Sequence, residues 1–272
     1  MLELFAIPPS GYISPEAMVA PLAMSPRLET LVIEIELASP QRDRIHPSPI
    51  TRTVLPALTH FQFQGTNEYL EDLVARIDGP QLNLISIDHL VDFQVTQLSK
   101  FIDRSLGPGI TPFTHGEVCF FFGSICFDMY RHAIHLGWDW HPVRTHISCD
   151  GIDRQIPHMA QVLSQFAAIL STVVYLKLDV LLAEHLQLEG TDVEWLHSLH
   201  QFSTMQAPHV SGQFAEHVAL ALENIPGGMV TEVLSSLDLI CFEGQSTSSV
   251  EKFIAVHKLS GRPVTVIHGR GV

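Results

Sequence analysis

Short apolar runs that alternate like half-buried strands return along the whole chain at a spacing of roughly 25 to 32 residues, the range that marks repeat architectures. They are LELFAI at 2, LETLVIEIEL at 28, LTHFQF at 58, LNLISI at 82, VCFFF at 118, THISC at 145, VVYLKLDV at 173, SSLDLICF at 235 and RPVTVI at 262. Several carry a finer pattern, apolar-x-x-apolar-x-apolar: Leu58, Phe61, Phe63; Leu82, Ile85, Ile87; Val173, Leu176, Leu178; and Leu234, Leu237, Leu239. In a strand the last two of each triplet share one face, and the residues between them take the other.

Between the runs lie segments of helical period: NEYLEDLVARID, VTQLSKFIDRS, IPHMAQVLSQFAAIL, DVEWLHSLHQF, GQFAEHVALALENI and SVEKFIAVHKLSG. Strand and helix therefore alternate to the end of the chain. No single unit can bury its own apolar face, whereas stacked neighbours share one continuous core. The expected fold is α/β: a leucine-rich-repeat-like solenoid of about nine or ten irregular repeats, a curved parallel sheet with helices on the outer face, in one domain over 1–272. An ordinary doubly wound α/β domain also alternates strands and helices, but no glycine-rich phosphate loop follows any strand here.

Three places strain the pattern. FSTMQAPHVS at 202 puts Pro208 where an inward apolar residue is expected, with the loss of a ladder donor. ITPFTHGEVCFFFGSICFDMY at 110 is too long and too aromatic for one strand and has room for an extra hairpin. Pro21, inside PEAMVAPLAM, should kink or shorten the first helix.

Composition narrows the function. Fifteen Lys plus Arg against twenty-nine Asp plus Glu leaves a net charge of −14, so the summed field repels phosphate backbones and anionic lipid. Neither nucleic acid nor membrane is an expected partner. The four cysteines form no C-x-x-C pair, no N-x-[ST] acceptor occurs, and the start lacks the basic and apolar regions of a secretory signal. These features point to an intracellular chain, cytoplasmic or nuclear. With 46% hydrophobic residues it can bury a large core.

Several segments, GYISPEAMVAPLAMSPRLETL, LPALTHFQFQGTNEYLEDLVARIDGPQLNLISI, QLSKFIDRS, GWDWHPVRTHISCDGI and HMAQVLSQF, resemble the leucine-rich-repeat region of F-box-like proteins of mushroom-forming fungi. The resemblance extends over nearly the whole chain. It implies a repeat domain that recognises a protein substrate or partner, carried behind an F-box that docks onto the adaptor of a cullin-type ubiquitin ligase. The sequence departs from that pattern in having no F-box before the repeats. MLELFAI reads as the middle of a repeat strand, so the first repeat is expected to be truncated, without a polar cap.

The expected working surface is the outward side of the strands. There His60, Gln62, Ser86, Asp88, His146, Ser148, Tyr175, Lys177, Asp179, Ser236 and Asp238 should line one concave face, a mixture of polar and aromatic groups suited to protein recognition. The competing reading is a metal-dependent hydrolase or metal-binding protein centred on 131–150, which holds His132, His135, His141, His146 and Cys149 together with Trp138 and Trp140. Their spacing matches no short zinc signature, and in the repeat frame Ile147 and Cys149 point inward. HSLH at 197–200 reads as a solvent-facing helical pair, and the acids of EYLED and GTDVE as favourable charges in a first helical turn. No H-E-x-x-H, G-x-S-x-G, G-x-G-x-x-G or Walker loop is present. The reading is therefore non-catalytic, with no cofactor and no metal.

Overall fold

A computed structural model describes residues 1–36, 51–90, 95–105, 112–121, 123–131, 143–149, 155–180, 206–210 and 238–243, with 251, 254–255, 258–259, 261 and 263–269. In chain order the elements are β1 (Leu2–Ile7), a short 3-10 turn (Pro9–Gly11), α1 (Pro15–Ala23), β2 (Thr30–Ile35), β3 (Thr53–Val54), β4 (His60–Gln64), α2 (Asn67–Arg76), β5 (Ile77–Asp78) and β6 (Leu84–Leu90). They continue with α3 (Thr96–Ser105), β7 (His115–Phe121), β8 (Ser124–Tyr130), β9 (Val143–Ser148), α4 (Gln155–Gln165), α5 (Ala167–Leu170), β10 (Tyr175–Val180), β11 (Ala207–Val210), β12 (Leu239–Glu243) and β13 (Thr265–Gly269). The protein is mixed α/β, and its contacts divide the described residues into two compact units. One holds the described residues up to Pro112 together with β9; the other holds Phe113 to Arg131 and everything described from Cys149 onward.

In the first unit, β1, β2, β4, β6 and β9 form parallel pairs in that order. The expected triplets are in phase. Leu31, Phe61, Ile85 and Val143 stand in register, as do Ile33, Phe63 and Ile87, and all are buried. Helices cover this face: the ring of Phe101 in α3 meets Phe61 edge-on at 5.8 Å, and Tyr69 in α2 stacks on Phe63 at 5.9 Å. A small parallel pair, β3 with β5, adds a second, two-stranded sheet that the periodicity did not predict. Pro21 does lie within α1; the helix, capped by Ser14, runs nine residues and stops at Ala23.

Helices α2 and α3 are tied at both ends. The Glu71 carboxylate accepts the backbone N–H groups of Gln97 at 2.7 Å and Leu98 at 2.8 Å, so a side chain of α2 caps the start of α3. At the other end Arg104 donates to Asp78 at 2.6 Å and to the Val74 carbonyl at 3.1 Å. Burial raises the Glu71 carboxyl above its ordinary range, against the pull of the two N–H donors and of Lys100.

In the second unit the strand order is β8, β7, β10, β11, β12, β13. All of these pairs are parallel except the first: β7 and β8 form an antiparallel hairpin, the extra feature for which the segment at 110 had room. The sheet of this unit is thus mostly, not wholly, parallel. Gly123 turns the hairpin with φ of +78°, a conformation in which a side chain would be strained. Its carbonyl accepts from Cys149 N–H at 2.8 Å, and Gln155 at the start of α4 donates to the carbonyls of Phe121 at 2.7 Å and Ser124 at 3.3 Å. The turn is therefore held from outside as well as from within. Pro208 does stand in a strand: β11 places it in register with Leu176, and the ladder to β12 registers at His209 and Val210.

Candidate binding face

The strand periodicity that buries Phe61 and Phe63 turns the intervening side chains to the opposite face. In the first unit this places Gln62, exposed, in register with Ser86, half-buried, and Ser86 with Arg144. His60 begins the row before it, and Asp88 the row after. His146 and Ser148 follow Arg144 at alternate, partly exposed positions of β9. The first six expected positions therefore fall on outward strand sites of one unit. Arg144 joins them unforeseen, because THISC started the strand two residues too late.

His60 is held in one tautomer by its neighbour. Thr59 Oγ1 lies 3.0 Å from the Glu29 carbonyl, which can only accept, so the single hydroxyl proton goes there and His60 Nδ1, 2.8 Å away, must donate to Thr59. The second unit repeats the arrangement. Thr114 donates to the Arg131 carbonyl at 2.9 Å, and His115 Nδ1, at 2.8 Å, donates to Thr114. The Thr-His pairs at 59 and 114 were the sequence signal that both open a strand.

The outward face of the second unit carries a denser network. Rows run across it by register: Tyr130, His115 and Tyr175; then Asp128, Glu117, Lys177 and His209; then Cys126, Cys119 and Asp179. Lys177 Nζ lies 2.8 Å from Glu117 and 2.9 Å from Asp179. The Tyr130 hydroxyl donates to Glu117 at 3.0 Å, and the Cys126 thiol to Asp128 at 3.6 Å. Tyr175, 47% exposed, stacks on the His115 ring at 4.7 Å.

Electrostatics follow from these contacts. Burial pushes the Glu117 carboxyl up, but the Lys177 ammonium, the Tyr130 hydroxyl and the Cys119 thiol outweigh it, and the net shift is downward. Burial pulls Lys177 down, yet Glu117 and Asp179 more than restore it, so the ammonium stays charged well beyond the ordinary range. Cys119 is raised by burial and by the Glu117 charge, which makes its thiol a hydrogen-bond donor to the carboxylate and a poor nucleophile in this state.

Tyr175, Lys177 and Asp179 thus sit where they were expected, on the outward side of β10. Of the last two expected positions, Asp238 requires correction. In β12 the register aligns Cys241 with His209 and Leu239 with Thr265, and it is Ile240 that is buried. Leu239 is therefore an outward residue and not the last inward one, and the inward phase of β12 runs through Ile240, one residue later than the phase read from the sequence. Asp238, exposed, precedes the strand; its N–H donates to the Gln206 carbonyl at 3.0 Å and its carbonyl accepts from Thr265 at 2.9 Å. Ser236 lies outside the described residues. The register instead adds His209, Cys241 and Ile267, together with His115, Glu117, Asp128 and Tyr130, which were hidden in sequence because β7 and β8 do not alternate cleanly.

Residues 132–142 of the His- and Trp-rich stretch, with the histidines at 132, 135 and 141, lie outside the described residues, as does the HSLH pair. Cys149 is 8% exposed and Ile147 is 1% exposed, as the repeat frame required. Among the described residues no group of three or more His, Cys, Asp or Glu side chains is placed to hold a metal ion. No helix among them is long and apolar enough to cross a membrane. No family model, no curated protein and no solved structure matches the chain.

Proposed function

We propose that the chain is a protein-binding repeat module, a leucine-rich-repeat-like solenoid whose outward strand face recognises a substrate or partner. Its place, by the resemblance of its segments, is the recognition region of an F-box-type ubiquitin-ligase receptor. One observation carries the reading: in each unit parallel strands bury one face, covered in the first unit by α2 and α3, and turn other side chains outward, Gln62, Ser86 and Arg144 in the first unit and Tyr175 and Lys177 in the second. Parallel sheets in doubly wound domains are covered on both sides. A parallel sheet with a polar, partly aromatic open face is the arrangement of a repeat protein that binds along its strands.

The test compares partners captured from the native cell by the wild-type chain and by Gln62→Ala combined with Tyr175→Ala. Loss of specific partners at unchanged melting temperature supports the binding face; identical partner sets overturn it. The ligase reading has its own test, the transcript sequence upstream of Met1. An in-frame F-box supports it, and a start at Met1 removes the link to ubiquitin while leaving the binding module.

A further inference from the structure

Two of the four cysteines face one another. Cys119 on β7 and Cys126 on β8 are register partners across the antiparallel hairpin, both thiols outside any disulfide, 7% and 6% exposed. Facing residues in such a ladder have Cα atoms about 4.5–5.5 Å apart, inside the span a disulfide bridges. Both thiols are engaged as donors, Cys126 to Asp128 at 3.6 Å and Cys119 to Glu117. Glu117 and Asp128 are themselves register partners, so two thiols and two carboxylates form a square on the outward face, with Lys177 beside Glu117 and Asp179 in register with Cys119.

We propose that Cys119 and Cys126 are a thiol-modification site that closes to a reversible cross-strand disulfide, with a small-molecule disulfide of the glutathione class as oxidant. One cysteine thiolate attacks a sulfur of the small disulfide, whose S–S bond breaks and releases one small thiolate. The second cysteine thiolate attacks the protein sulfur of the mixed disulfide, forms the Cys119–Cys126 bond and releases the other small thiolate. Two protein thiols are oxidised, one small disulfide is reduced to two small thiols, and the two protons lost by the protein end on them. Neither S–H donor survives, so Glu117 and Asp128 each lose a hydrogen bond and the carboxylates become available to other donors.

The hairpin suits the chemistry. Gly123 and the Gln155 contacts hold the turn, so closing the bond fixes a ladder that already pairs the two residues. Because a buried thiol beside a carboxylate ionises reluctantly, the reaction is slow at neutral pH and quickens as pH rises. The proposal concerns the thiols alone and does not rest on the reading of the face as protein-binding.

The test exposes the folded full chain to oxidised glutathione, blocks remaining thiols with N-ethylmaleimide and cleaves with chymotrypsin at the phenylalanines between the two cysteines. The expected result is a pair of peptides joined through Cys119 and Cys126, released by dithiothreitol and formed faster at higher pH. Cys126→Ser and Cys119→Ser each abolish the link, and Cys149→Ser leaves it in place; Cys126→Ala serves if the serine variant does not fold. Full alkylation of both thiols after treatment, a link that joins Cys149 or Cys241 instead, or a link that forms only in denatured chain overturns the proposal.

Discussion

Strands β4 and β7 perform the same task in different units, yet only one of them announces it. In β4, HFQFQ alternates half-buried, buried, exposed, buried, half-buried, so its two phenylalanines fix the inward face by inspection. In β7, HGEVCFF reads half-buried, buried, half-buried and then three buried residues in a row. The difference lies outside the core. The outward side chains of β4 meet water, whereas those of β7 pack into a network with Tyr130, Lys177 and the β8 thiols. Alternation reports phase only where the open face is wet; where polar groups satisfy one another there, phase has to come from register with a neighbouring strand.

The largest test of that contrast is Phe61→Ala. Its ring is fully buried against Phe101, so its loss should cost about 3–5 kcal/mol, while Gln62→Ala next to it should stay within about 0.5 kcal/mol. Urea denaturation midpoints compare the two, and similar losses would break the assigned phase. Ile240→Ala should cost about 2–5 kcal/mol and Leu239→Ala clearly less, since Ile240 is the buried residue. Equal losses would return Leu239 to the inward row and undo the correction in β12.

Glu71→Ala should cost about 0.5–2 kcal/mol by removing the acceptor of two N–H groups at the start of α3. Retention of full helicity and stability would show that water caps the helix as well as the carboxylate does. The smallest effect concerns acid. Glu117 has its folded pKa below its ordinary 4.5, so its contribution is fully present above that value and is lost as pH falls through the lower folded value. Glu117→Gln should therefore flatten the acid limb of the stability curve. The difference should stay below about 1 kcal/mol, because the Lys177 side chain is 42% exposed and solvent screens the pair. A steeper acid limb in the variant would contradict the assigned direction.

Much of the architecture was legible because repeated strands carry repeated burial. The triplets at 58, 82 and 173 were read in the correct phase, and the helices at 67 and 96 within a residue or two of their ends. The triplet at 234 failed at its last member because Leu239 and Ile240 are adjacent apolar residues, and sequence has no means of telling which of the two turns inward. The two-residue strands β3 and β5 left no periodic trace at all. For the candidate face, β10 supplied Tyr175, Lys177 and Asp179 directly. Glu117, Tyr130 and Asp128 became visible only when pairing placed the hairpin beside that strand.

The bond between Glu71 and the start of α3 bears on how the molecule comes apart. A helix that caps itself can fray and reform without its neighbour, but α3 borrows its first acceptor from α2 and returns Arg104 to Asp78 and Val74. Opening either helix strips the other of partners, so the two should exchange their amide hydrogens with solvent as a single block, on one timescale and with one denaturant dependence.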